Sequence, residues 1–213
     1  MEVKQDMAKK LGKVKKPSAK EFEKGRKLFF LPLIFSPEEP EPEIKELLDR
    51  YWKQAWEQLE NLEEKLSRVN KVYHELISDS GDNGVKAMDE MDAGSKQIVK
   101  SCLERNAEFL PVEERILLNE YIDWSRCLSI GLLSRRALEK VEEYYNEVQA
   151  KRGEQIARTI NETLKSDERG LLVMREGSEV KFPDDIQVFY IAPPALDEVK
   201  KWFWKNGYMY GED

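Results

Sequence analysis

The stretch that most restricts the fold runs from Arg152 to Ile191, RGEQIARTINETLKSDERGLLVMREGSEVKFPDDIQVFYI. Its apolar spacing predicts an amphipathic helix over 153–164, then a short apolar strand over 171–174, a polar turn, and a second strand over 186–191. The simplest form of that turn, Arg175-Glu176-Gly177-Ser178, is a hairpin joining two neighbouring strands.

The remaining chain alternates in the same way. Residues 28–35, LFFLPLIF, read as a buried strand that Pro32 demotes to a sheet edge, an irregular strand or a strand end. The turn SPEEPEPE follows. Helical spacing of Ile44, Leu48, Tyr51, Trp52, Ala55, Trp56, Leu59 and Leu62 then predicts a helix over 41–68 with acid in its first turn. A β-rich segment at 69–77, a polar helix over 85–106 weakened at Gly94, and a third strand over 107–112 come next. Between 113 and 149 the spacing is helical again, broken near 131–134 where Ser134 can cap a fresh start. Residues 195–204 close the chain with a helix. This order argues for an α/β fold: about five mostly parallel strands flanked by long helices in one three-layer domain over 21–213, after a basic flexible arm at 1–20. The alternative is a helical bundle with a C-terminal β-hairpin, because the second and third strands are weak.

Composition narrows the function classes. The chain has 213 residues and a formal charge of −7, which argues against a nucleic-acid partner, since phosphate binding relies on a net basic face. Its first 16 residues run the other way, with six lysines against Glu2 and Asp6, as a solvated terminus or an arm for an acidic surface. No apolar run approaches a membrane span and the start has no apolar signal core, so no membrane partner is expected. Cys102 and Cys127 lack the spacing of a zinc or redox motif and read as buried free thiols, which suits a cytoplasmic location.

Ligands in open parallel sheets collect beyond the carboxyl ends of the strands. The residues there are Ser36 and Glu38, then His74, Glu75 and Asp79, then Glu113 and Glu114, then Arg175, Glu176 and Ser178. The set is rich in carboxylates. Paired carboxylates can hold Mg²⁺ or Mn²⁺ or divide acid and base roles, although 42 acidic residues also put many carboxylates in loops by chance. His74 is the sole histidine, which excludes sites that need two imidazoles, and reads as a packed, hydrogen-bonded residue. No GxSxG, GxxxxGK[ST], GxGxxG, CxxC or HExxH is present, so the chain carries no zinc or nucleotide signature.

The last third also resembles a set of uncharacterised bacterial α/β proteins that read approximately RDxxIAxxIxxTL, then GILFIGAxHxV, then a proline-aspartate strand. The matching residues are Arg152, Gly153, Ile156, Ala157, Ile160, Thr163 and Leu164, then Gly170 to Met174, then Pro183 to Ile186. More loosely, Tyr73 to Glu75, Glu113 and Glu120-Tyr121 match upstream. The ending is similar, remotely, to the superfamily of Tiki-type proteases and erythromycin esterases, which implies hydrolysis. Two departures weaken that implication: Gly153 stands where the pattern has aspartate, and Ser178 where it has histidine.

Two functional readings follow. The first is a cytoplasmic α/β protein without catalytic machinery that acts through binding or assembly. The second is a hydrolase with a carboxylate-bound divalent metal or an Arg/Glu site, with Glu75, Glu113, Arg152 and Ser178 as its catalytic residues. A deep polar pocket holding Glu75, Glu113 and Arg175 counts for the second. The aromatic segment Trp202, Phe203, Trp204, Tyr208 and Tyr210 packs either on the core or on a second subunit, which makes it a candidate homo-oligomer surface.

Overall fold

The computed structural model describes residues 25–37, 39–89, 93–177 and 180–207. The basic arm, Glu38, Ser178, Tyr208 and Tyr210 therefore lie outside the described residues. Five strands form one sheet: β1 (Arg26–Pro32), β2 (Lys71–His74), β3 (Glu108–Pro111), β4 (Arg169–Met174) and β5 (Ile186–Tyr190), in the order β3-β2-β4-β1-β5. Every pairing is parallel, with Leu28 beside Gly170 and Val188, and Val72 beside Phe109 and Leu171. The helical-bundle alternative is thereby excluded.

The helices are α1 (Pro42–Leu66), α2 (Gly81–Asp89), α3 (Ala93–Glu104), α4 (Arg115–Ser129), α5 (Arg135–Thr163) and α6 (Pro194–Lys205). Period-two alternation along the strands sorts the core into two layers. Phe29, Leu31, Val72, Leu171 and Val173 face one way and are covered by Ile44, Leu48, Tyr51, Ala55 and Leu59 of α1, Ile98 and Val99 of α3, and Leu196, Val199, Trp202 and Phe203 of α6. Leu28, Tyr73, Leu172, Met174 and Ile186 face the other way, against Ile156 and Ile160 of α5 and Leu164 just after it. The aromatic segment is thus core at Trp202 and Phe203, while Trp204 is 84% exposed.

Three sequence expectations need correction. The β4–β5 connection is not a hairpin: β1 lies between the two strands and pairs with both, so the chain crosses the sheet face before returning. A parallel partner cannot be reached by a tight turn, and the residues of that connection include Val180 and Phe182, which pack on the Leu28–Leu172 layer. Secondly, β1 is an interior strand, so of the readings offered at Pro32 the sheet edge falls and the strand end holds. Pro32 is its last residue, where a missing N–H breaks no ladder bond, and the Pro32 carbonyl accepts a 2.5 Å bond from the buried Tyr51 hydroxyl. Thirdly, no helix begins at Gly153: α5 runs unbroken through it for 29 residues, with Arg152 and Gly153 both on its buried side. The break at 131–134 is real, and the Ser134 hydroxyl accepts from the Ala137 N–H at 3.4 Å.

Candidate functional site

The long α5 and the shorter α4 pack as an antiparallel pair with their own small core of Tyr121, Tyr145 and Val148. That pair meets the carboxyl ends of β2, β3 and β4 at a cluster of charged side chains. Glu75 follows β2, Glu113 follows β3, Arg175 follows β4, and Arg152 comes in from α5. In an open parallel sheet the three strand-end positions are neighbours by construction, which is why Glu75, Glu113 and Arg175, 38 to 100 apart in sequence, converge.

The cluster is charge-matched, two carboxylates against two guanidinium groups. Arg152 donates through Nη2 to Glu113 Oε1, through Nε to Glu113 Oε2 at 3.1 Å, and through Nη2 to Glu75 Oε1 at 3.4 Å. Arg175 grips Glu75 through backbone and side chain: its backbone N–H donates to Oε2 at 2.7 Å, its Nη2 to Oε1 at 2.8 Å, and its Nε to both oxygens at 3.3 Å. Glu113 Oε1 also accepts the Leu76 N–H at 3.1 Å. Leu76 turns the chain out of β2 with φ of 67°, a left-handed conformation uncommon for leucine, and that turn brings its N–H to Glu113.

Tyr121 completes the arrangement. Its hydroxyl accepts from Arg175 Nη2 at 2.7 Å and lies 3.3 Å from the Tyr145 hydroxyl, while the Arg152 guanidinium sits 3.9 Å from its ring centroid. The cation thus rests on an aromatic face, an attraction strengthened by the burial of both groups. Burial alone pushes the Glu75 carboxyl upward in pKa, but Arg175, its hydrogen bonds and Arg152 outweigh it and hold the group below its ordinary value. Glu75 is therefore a carboxylate at neutral pH.

Of the four sequence-predicted site residues, Glu75, Glu113 and Arg152 are brought together, and Ser178 lies outside the described residues. Among the described residues both carboxylates are sealed: the Glu75 side chain is 0% exposed and that of Glu113 1%. Arg175, 35% exposed, lines a shallow recess of about 310 Å³ together with Leu76, Tyr121, Ser125, Arg126 and Ser129. Tyr121 was missed as a polar partner because helical spacing alone marks it as an apolar position.

The other candidates are dispersed. His74 is fully buried, with Nδ1 2.6 Å from the Glu75 carbonyl oxygen and Nε2 3.4 Å from Ser95 Oγ, as a packed histidine should be. Asp79 pairs with Arg115 at 2.5 Å. Glu176 accepts from the Tyr190 hydroxyl and from Lys200 at 2.6 Å, and burial followed by that carboxylate raises the pKa of the Tyr190 hydroxyl. Cys102 is a buried thiol pushed up to about 11 by burial and by Glu63, while Cys127 is only half-buried, short of the full burial expected for it. Among the described residues no group of three or more His, Cys, Asp or Glu is placed to hold a metal ion, and no helix is long and apolar enough to cross a membrane.

The fold and cluster define the class: an open, all-parallel α/β domain with a buried Glu/Arg cluster at its strand ends. Compared with protein-family models, curated proteins and solved structures, the chain matches none of them.

Proposed function

We propose that this is a non-catalytic binding or assembly protein of the cytoplasm, in which the Glu75–Glu113–Arg152–Arg175 cluster fastens the α4–α5 pair to the sheet. The observation that carries the proposal is that both oxygens of Glu75 and of Glu113 already accept hydrogen bonds from the chain itself, with no exposed edge for a metal or substrate. A general base must reach its proton, and a metal ligand must offer a lone pair. The free thiols Cys102 and Cys127 support a reducing compartment.

The competing reading, a hydrolase using Mg²⁺ or Mn²⁺ on Glu75 and Glu113, draws its support from the likeness of residues 152–191 to the bacterial proteins described above. It requires a metal that stabilises the folded state by mass action. Thermal denaturation with and without millimolar Mg²⁺ or Mn²⁺ separates the two. No shift in the midpoint is expected, and a concentration-dependent rise that Glu113→Gln removes overturns the non-catalytic reading.

Assembly draws its support from apolar side chains left in water. Ile130 and Leu133 stand at the tip of the α4–α5 pair, and Trp204 projects from α6. If α6 carries a homo-oligomer contact, Trp204→Ser lowers the mass measured by light scattering without changing the melting temperature, because Trp204 adds nothing to the core. An unchanged mass confines assembly to other surfaces.

A further inference from the structure

A cavity of about 770 Å³ forms a trough between α1 and α3 on the sheet face opposite α5, and it shares no residue with the charged cluster. That volume falls within the roughly 300–1,000 Å³ typical of small-molecule sites. Its walls come from one stripe of α1 and one of α3. Trp52 and Trp56, one helical turn apart, both line it, over the buried Leu48 and Ile98.

The two indoles are held by their surroundings. A Cβ at position 94 would fall 2.2 Å from the Trp52 pyrrole atoms, so only glycine lets α3 start against that ring. Arg105 sits 4.8 Å from the Trp56 ring centroid. Rings fixed in this way offer aromatic surface without losing rotamer freedom on binding, which favours affinity.

The charge at the rim selects the ligand. Lys45 and Lys53 are both exposed, both line the trough, and neither has an ion pair among the described residues. Asp49 lies one turn from each, yet it too has no ion pair among the described residues. Among the described lining residues two ammonium groups stand against one carboxylate, a cationic balance in a chain whose formal charge is −7. Indole faces alone would also welcome a cation, but the lysines repel one.

We infer that the trough between α1 and α3 binds a planar aromatic anion, its ring against Trp52 and Trp56 and its negative group at Lys45 and Lys53. Aryl acids and mononucleotides share this chemistry. This goes beyond the proposed function, since it holds whether or not the charged cluster is catalytic.

The test is isothermal titration calorimetry on the full chain at low salt, using naphthalene-2-sulfonate, adenosine 5′-monophosphate and the neutral 2-naphthylmethanol. Saturable one-to-one binding of at least one anion is expected, and which anion binds distinguishes an aryl acid from a nucleotide. The double variant Lys45→Gln/Lys53→Gln, which changes only exposed side chains, should weaken that anion by about tenfold, the scale of two partly solvated charge contacts, and leave the neutral compound unaffected. Trp56→Ala should abolish binding. Failure of both anions to saturate at millimolar concentration, or equal affinity in the lysine variant and the parent, overturns the inference.

Discussion

Replacing Arg152 with methionine should lower the unfolding free energy by about 3–5 kcal/mol, the usual result of removing one partner of a buried ion pair. The size follows from what stays behind. Glu113 would keep only the Leu76 N–H, with its side chain 1% exposed, and Glu75 would depend on Arg175 alone. Tyr121 would lose the guanidinium beneath its ring. Against a whole-domain stability of about 5–15 kcal/mol, that loss approaches unfolding at physiological temperature. Urea denaturation followed by circular dichroism measures it, and a loss below about 1 kcal/mol would mean that the cluster does not fasten the helices.

The same reasoning separates charge imbalance from lost packing. Arg152→Met combined with Glu113→Leu removes one charge of each sign and returns the cluster to neutrality, leaving Glu75 with Arg175. Buried ion pairs replaced by apolar residues of similar volume are often neutral in stability. The double variant should therefore be more stable than Arg152→Met alone, which a sum of independent contact energies does not anticipate.

Much of this arrangement was legible in the sequence, and the exceptions have physical causes. Continuous apolar runs at 28–35 and 171–174 mark strands buried on both faces, and their alternation with helices requires a parallel sheet. That inference reached even β2 and β3, each only four residues long. Strand order was not legible, because it depends on which helices cover which face. An eleven-residue connection containing Gly177 looks like a hairpin loop until β1 is known to occupy the space between β4 and β5. Gly153 misled for a related reason: glycine costs a helix about 1 kcal/mol, and tertiary packing of the buried Ile156 and Ile160 outweighs that. At the charged cluster, the strand-end rule brought out Glu75, Glu113 and Arg175. It could not reveal that the carboxylates would be sealed, since burial there is imposed by α4 and α5 folding back, and by Tyr121 closing over Arg152.

Glu75→Gln should give the second large effect, and its pH dependence distinguishes a charge role from a shape role. Glutamine is nearly isosteric and still accepts the Arg175 N–H, but the cluster then holds two cations against one anion, so a loss of about 3–5 kcal/mol is expected at pH 7. In the parent chain the Glu75 carboxyl is held below the ordinary value of 4.5, so its folded form binds a proton less readily than its unfolded form. A depressed folded pKa contributes stability that is complete above the unfolded value and declines as pH falls towards the folded one. The difference in urea midpoint between the parent and Glu75→Gln should therefore be constant from pH 7 to about 5.5 and shrink below about 4.5. Pairs common to both chains, such as Arg26 with Asp185, cancel in that difference. A gap that stays constant into acid would assign the loss to packing, and the ion pairs would then contribute shape rather than charge.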